Sequence, residues 1–231
     1  MRKFLWIPAA LSCVILPLLI LVAVCYVDFT SPGFYFRFNE QSPGKSFEES
    51  LSVSRKEAYD AIRFMLSYVK GKEKTDNTYI DVGGSSEPFF NGRELAHLSD
   101  IRRLIQKGKL IALMAAIISI PGIVLIILRK EYVLLAKVYP IAQAAAIALI
   151  ALAAVIFACN PLMFITTLHR LFFGGSDNSW IFNPATDRIV HFFPEGIYLK
   201  MITFAAVIFV AETLDFYVLS RIAVKAAKKK K

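Results

Sequence analysis

Apolar residues are not spread evenly along this chain. They gather into four long blocks, at residues 4–27, 110–128, 138–158 and 197–219. Each is long enough for a helix that crosses a hydrocarbon layer, which takes about 20 residues. The first block is too long for the apolar part of a cleaved signal peptide, and no small-residue cleavage site follows it, so it reads as a retained span. The intervening stretches 28–109 and 159–196 are mixed in polarity and change period.

Two of those changes predict helices. In "SRKEAYDAIRFMLSYVKG", Ser54 and Glu57 have capping-box spacing, and apolar residues recur at Ala58, Ala61, Ile62, Met65, Leu66 and Val69. Gly71 suits the stop. In "NGRELAHLSDIRRLIQKG", Asn91 is placed to cap, Glu94 follows three residues later, and Gly108 lies near the end of a helix that runs almost directly into the second apolar block. Leu95, Leu98, Arg102 and Ile105 share one face of it. Arg93, His97, Asp100 and Leu104 form a second stripe about a quarter turn away. A short strand is expected at residues 78–82, broken by Gly83 and Gly84. The aromatic run "FYFRF" (34–38) is expected at a membrane interface. In the later segment, Asn160-Pro161 opens a short apolar helix that ends at Gly174-Gly175 and is expected in the interface plane, with Trp180 as an interface anchor.

Composition agrees with this pattern. The chain has 231 residues, of which 56% are hydrophobic, above the usual apolar share of a soluble domain. Its three cysteines, Cys13, Cys25 and Cys159, form neither a disulfide framework nor a CxxC pair. The net charge of +9 is concentrated at the termini. Arg2 and Lys3, then Arg129, Lys130 and Lys137, then Arg221, Lys225 and Lys228 to Lys231 place both termini and the short second link on the cytoplasmic side. The basic tail reads as an orientation signal resting on anionic lipid, not as a nucleic-acid site. Inside the fourth block, Glu212 and Asp215 share a helix face near Arg221, and pairing with that arginine is the expected reading. Gln143 is expected to make an interhelical hydrogen bond. The fold class is therefore an α-helical polytopic membrane protein: four transmembrane helices, N-in and C-in, with a mainly helical extracytoplasmic subdomain. The expected organisation is one membrane-embedded domain over residues 1–231, with extracytoplasmic segments at about 28–109 and 159–196.

Candidate chemistry is sparse. No HExxH, zinc-type Cys/His spacing, GxSxG elbow, P-loop or dinucleotide fingerprint is present. Two histidines, His97 and His169, each lie at the outer end of a span in separate segments. Histidine is the default acid or base near neutral pH. Taken alone, the residues leave three classes open: an enzyme using these histidines, a non-enzymatic membrane protein such as a transporter or assembly partner, and a histidine-dependent metalloprotein. The inverted repeats and broken helices of a transporter are not visible.

Two blocks narrow the choice. "NGRELAHLSDIRRL" resembles the Asn-x-x-Glu-x-x-His-x-x-Asp segment of the bacterial lipoprotein intramolecular transacylases, Lit. "FITTLHRLFFGGSDNSWIFNPATDRIVHFFPE" resembles that family's His-x-x-x-Phe, Trp, Asp and Pro-Glu segment. The four-span layout is also similar. The resemblance implies a multi-pass acyltransferase of the cytoplasmic membrane with its active site on the extracytoplasmic face. Its substrate would be a diacylglyceryl lipoprotein, met among membrane lipid. The acyl chain on the second glycerol carbon would move to the α-amino group of the N-terminal cysteine, giving the N-acyl, S-monoacylglyceryl form. No cofactor and no metal are implied, since acyl donor and acceptor share one molecule. His97 and His169 would do the acid/base work, and Arg93 and Asp100 would orient His97 or stabilise charge. Asn91, Glu94, Trp180, Asp187 and Glu195 would support the site. His191 and residues 33–74 match no part of the family pattern.

Overall fold

The structure, a computed structural model, describes residues 6–41, 46–73, 75–82, 85–173, 180–194 and 196–229. Among the described residues, eight α-helices and one hairpin make up the main elements: α1 (Trp6–Phe29), α2 (Pro32–Gln41), α3 (Phe47–Leu51), α4 (Arg55–Val69), β1 (Tyr79–Val82), β2 (Ser85–Pro88), α5 (Gly92–Leu128), α6 (Tyr132–Cys159), α7 (Pro161–Phe173) and α8 (Ile197–Lys229), with a 3₁₀ turn at Arg188–Phe192 before α8. The residues pack into two compact units. One comprises Met1–Cys25, Leu110–Thr166 and Thr203–Lys231, and the other Tyr26–Lys109 and Thr167–Ile202.

The first unit holds the apolar helices. Helices α1, α5, α6 and α8 are each long and apolar enough to cross a membrane. They turn large apolar side chains outward; Ile7, Ile111 and Leu149 are each more than two-thirds exposed. That surface suits lipid, where a helix keeps its backbone hydrogen bonds within itself. Contact between helices joins large apolar side chains such as Ile126 and Val138 with small and polar residues. At Gly122 of α5 an added Cβ would stand 2.3 Å from Ser12 Oγ and 3.2 Å from the Pro8 carbonyl, so α1 and α5 approach closely there. The Ser12 hydroxyl donates to the Ser119 carbonyl at 2.9 Å, and the Gln143 amide of α6 donates to the Cys13 carbonyl at 2.8 Å. The interhelical role expected of Gln143 is thus realised. The pairing expected of Glu212 is not: among the described residues its carboxylate finds no hydrogen-bond partner, because the Arg221 guanidinium packs over the Tyr217 ring, one turn away, at 5.0 Å.

The second unit is built around aromatic rings. Helix α4 begins at the capping box: Ser54 accepts from the Glu57 N–H and Glu57 accepts from the Ser54 N–H. It ends at Gly71, whose φ of +77° suits a residue without Cβ. There the Gly71 N–H bonds to the Tyr68 carbonyl and the Lys72 N–H to that of Ser67. Its apolar stripe, Ala58, Ala61, Ile62, Met65, Leu66 and Val69, is buried throughout. The run 34–38, expected at an interface, lies in α2 with Phe34, Tyr35, Phe36 and Phe38 all buried in this core. Packing ring on ring removes more apolar area from water than a surface belt does. Phe192 of the 3₁₀ turn, fully buried, stands at the centre. It stacks on Phe89 (5.7 Å, 9°) and meets Phe47 edge-on (5.6 Å, 89°).

Helix α5 departs from expectation in one respect. It runs unbroken from Gly92 to Leu128, through Gly108. A glycine inside a helix costs only about 1 kcal/mol, and the hydrogen bonds on either side of it outweigh that. On its packed face Leu98 is buried, with Leu95, Ile101 and Ile105 against the core, while Arg102 lies over the Tyr68 ring at 5.1 Å. β1 and β2 form an antiparallel hairpin with Tyr79 opposite Pro88. The Asp81 N–H donates outward to Glu57 at 3.2 Å, which ties the hairpin to the start of α4.

Because Phe192 joins a turn late in the chain to rings from α3 and from the link between β2 and α5, Phe192→Ala should destabilise the protein by about 3–5 kcal/mol. Thermal unfolding in detergent measures this, and a loss below about 1 kcal/mol would show the turn to be only loosely seated.

Candidate functional site

The geometry around the two histidines starts at the first turn of α5. Asn91 caps it: its side-chain oxygen accepts from the Arg93 and Glu94 N–H groups, each at 3.0 Å. Glu94 closes the box by accepting from the Asn91 N–H at 2.6 Å. Its other oxygen accepts from the Ile189 N–H at 2.6 Å, in the 3₁₀ turn. Glu94 is 1% exposed, and burial pushes its carboxyl above the ordinary carboxylate range against those hydrogen bonds.

Asp187 makes the second connection. Its carboxylate is 3% exposed and accepts from the Asn91 side-chain amide at 2.8 Å, from the Asn183 N–H at 2.6 Å and from the Arg93 guanidinium. Burial pushes this carboxyl up, but the donors and the Arg93 charge together outweigh it and hold the group below its usual range. Both acids also lie beside the positive end of the α5 dipole. The chain after α7 is thus hydrogen-bonded to the start of α5. Arg188, one residue on, donates to the Pro88 and Phe89 carbonyls at 3.1 Å each.

That joint brings the histidines together. His97 stands on α5 and His169 on α7, with ring centroids 6.3 Å apart and planes 17° from parallel. His169 stacks on Trp180 at 4.2 Å and 22°. Phe173 lies 5.9 Å from His97 and 5.5 Å from His169. Phe182 packs on His97 at 5.3 Å, with its planes tilted by 70°. The Arg93 guanidinium lies 5.4 Å above the Phe182 ring, so Arg93 reaches the His97 surroundings through that ring and not by direct contact. Burial lowers the His97 pKa, the nearby His169 charge lowers it further, and Asp100 opposes them. Asp100 itself pairs with Arg103. With Leu104, Lys107, Phe172 and Phe173 these two line a shallow cleft beside the histidine pair.

Of the site residues expected from sequence, Asn91, Arg93, Glu94, Asp187, His97, His169 and Trp180 converge on this joint. Asp100 lies at its edge, and Glu195 falls outside the described residues. His191 bonds to the Pro184 carbonyl at 3.0 Å and has no ring contact with the pair among the described residues. Phe173 was expected only as the Phe of the His-x-x-x-Phe motif, and Phe182 was not an expected site residue. The signal of Phe182, one aromatic residue in a loop with several, looks the same as core or interface packing. Among the described residues, no group of three or more His, Cys, Asp or Glu side chains could hold a metal ion.

Comparison with known proteins now bears on this arrangement. A family model described as lipoprotein intramolecular transacylase Lit matches residues 10–198. Among solved structures, the chain is similar to the membrane integral lipoprotein intramolecular transacylase Lit from Bacillus cereus. The TM-score is 0.70 at 16% identity, over 99% of this chain and 98% of that one. A variant of that protein with one histidine replaced by arginine gives a TM-score of 0.68 at 14% identity, over 100% and 95% of the two chains. The alanine variant gives 0.65 at 14%, over 99% and 96%. No individually curated protein matches. At these identities the solved structures establish the fold, and the family model, spanning more than half the chain, establishes kinship. The four apolar helices, the two histidine-bearing segments and the family match agree: this chain belongs to the lipoprotein intramolecular transacylase (Lit) family, membrane-integral acyltransferases that act on lipoproteins.

Proposed function

We propose that this transacylase moves the acyl chain on the second glycerol carbon of a diacylglyceryl lipoprotein to the α-amino group of its N-terminal cysteine, and that His97 and His169 carry the proton transfers. The observation that supports this most directly is the pairing of two imidazoles from separate chain segments, 6.3 Å apart, inside one aromatic enclosure. Exchange of an ester for an amide is downhill, so the barrier is largely organisational. Direct transfer closes a roughly eight-membered ring, and the amine has to be held against the ester carbonyl. An enclosure walled by Phe173, Trp180 and Phe182 limits the poses of a substrate that has to fold back on itself.

The attacking amine has to shed a proton. His97, kept neutral by burial and by its neighbour, is fitted to take it. His169 then returns a proton to the departing glycerol oxygen. Over the whole transfer, one positive charge moves from His169 to His97. Arg93 and the Asn91 amide, fixed by Asp187, keep the first turn of α5 in register with the loop that carries Phe182 and Trp180. Glu94 does the same through the Ile189 N–H. Asp100 and Glu195 complete the supporting set. Orientation follows the positive-inside pattern: both termini in the cytoplasm, and the histidine pair on the extracytoplasmic face, beside membrane lipid. No cofactor enters, because donor and acceptor are one molecule.

Replacing His97 or His169 by Ala or Asn, in protein that remains folded, should lower transacylation by at least about 100-fold. Mass spectrometry of the lipoprotein N-terminus in a host lacking the enzyme reads the outcome. If both variants make N-acyl, lyso-form product at the parental rate, the assignment is wrong. The pH profile gives a second measure. The substrate amine, with a pKa of about 7.7–8.0, sets a first acid limb. His97 has to be neutral to act, and its pKa lies below the ordinary value of about 6.5, so a second loss should set in only below that pH, doubling the slope of log rate. A second limb that persists unchanged in the residual activity of His97→Asn would exclude His97 as its source.

A further inference from the structure

The two imidazoles have unlike ring neighbours among the described residues. His97 meets Phe173 and Phe182 at interplanar angles of 60° and 70°, so neither ring lies flat against it. His169 has an indole nearly parallel to it, 22° off, with a centroid distance of 4.2 Å. An aromatic face is the negative end of the ring quadrupole and attracts a cation within about 6 Å, with Trp the strongest such partner. Among the described residues, the charged and titratable groups near the pair are His97, Arg93, Asp100, Arg103 and Lys107 on α5 and Arg170 on α7. Of these, Asp100 pairs with Arg103, and Arg93 with Asp187. The Trp180 face, stacked on the His169 ring, is placed to favour an imidazolium there.

We propose that Trp180 is the positioning residue for His169: its indole fixes the plane of the imidazole parallel to that of His97 and stabilises the cationic ring that donates to the departing glycerol oxygen. The proposal deepens the histidine mechanism above and rests on it. Trp180 touches His169 and acts through it, and the loop joint at Asp187 holds Trp180 in place.

Two measurements test it. The chain has two tryptophans, Trp6 and Trp180, so a Trp6→Phe protein reports on Trp180 alone. Indole emission should fall as pH is lowered through the histidine range, because a stacked imidazolium quenches it. His169→Gln in the same background should abolish that dependence, and His97→Gln should retain it. A pH-flat emission in the Trp6→Phe protein, or a dependence that survives His169→Gln, overturns the contact. The second measurement is steady-state kinetics on a synthetic diacylated lipopeptide in detergent. Trp180→Leu should lower kcat by about 3–30-fold, the range of a desolvated cation–π contact, with KM changed less than about 2-fold. Trp180→Phe, which keeps a ring face, should recover most of the loss. A raised KM with unchanged kcat would make Trp180 a substrate-binding wall instead, and Phe as impaired as Leu would remove the ring face from the argument. Failure of the mechanism itself looks different: His169→Gln would then transacylate at the parental rate whatever the fluorescence shows.

Discussion

Asp187 is the constraint on which the site depends. A carboxylate taken almost wholly out of water is costly unless each oxygen is met by donors. Here Oδ1 meets the Asn91 amide, and Oδ2 meets the Asn183 N–H and the Arg93 guanidinium. Two of the three donors belong to the first turn of α5 and the third to the loop after α7. The acid is therefore satisfied only when these segments, nearly a hundred residues apart in the chain, are side by side. Glu94 repeats the logic in reverse, reaching from α5 to the Ile189 N–H of the 3₁₀ turn. Together the two acids turn an electrostatic penalty into a positional requirement.

The aromatic core backs that requirement. Hydrogen bonds set the register between α5 and the 3₁₀ turn, and Phe192 supplies the apolar burial that makes the register worth holding. The polar joint and the apolar anchor lie within five residues of each other, at Asp187 and Phe192. A loop pinned at both points cannot swing freely, and Phe182 and Trp180 sit just upstream of the pins. The two histidines gain their surroundings from this arrangement without making the fixing contacts themselves. Such a division suits the proposed mechanism, in which one flexible molecule is held in a folded-back pose. Rings backed by a fixed shell need no binding energy to order them.

The sequence by itself determined a good deal. Run length and the scarcity of charge were enough for the four apolar helices, because the thickness of a hydrocarbon layer sets a length that a soluble core does not. The caps of α4 and α5 and the stop at Gly71 were legible because they are local: each involves partners within a few residues. His97 and His169 stood out by residue type and place, and the resemblance of their two blocks to a known family was specific enough to be met by the family match. The packing of α2 into the core was decided by tertiary structure, since an aromatic run suits an interface and a core equally well. So was the passage of α5 through Gly108, where the hydrogen bonds on either side outweigh one residue's propensity. The pairing of the histidines, the face that Trp180 offers to His169, and Arg93 reaching His97 only through Phe182 also came from the fold. Each depends on contacts between segments distant in the chain, and hydrophobic period and cap spacing carry no information about which distant rings meet.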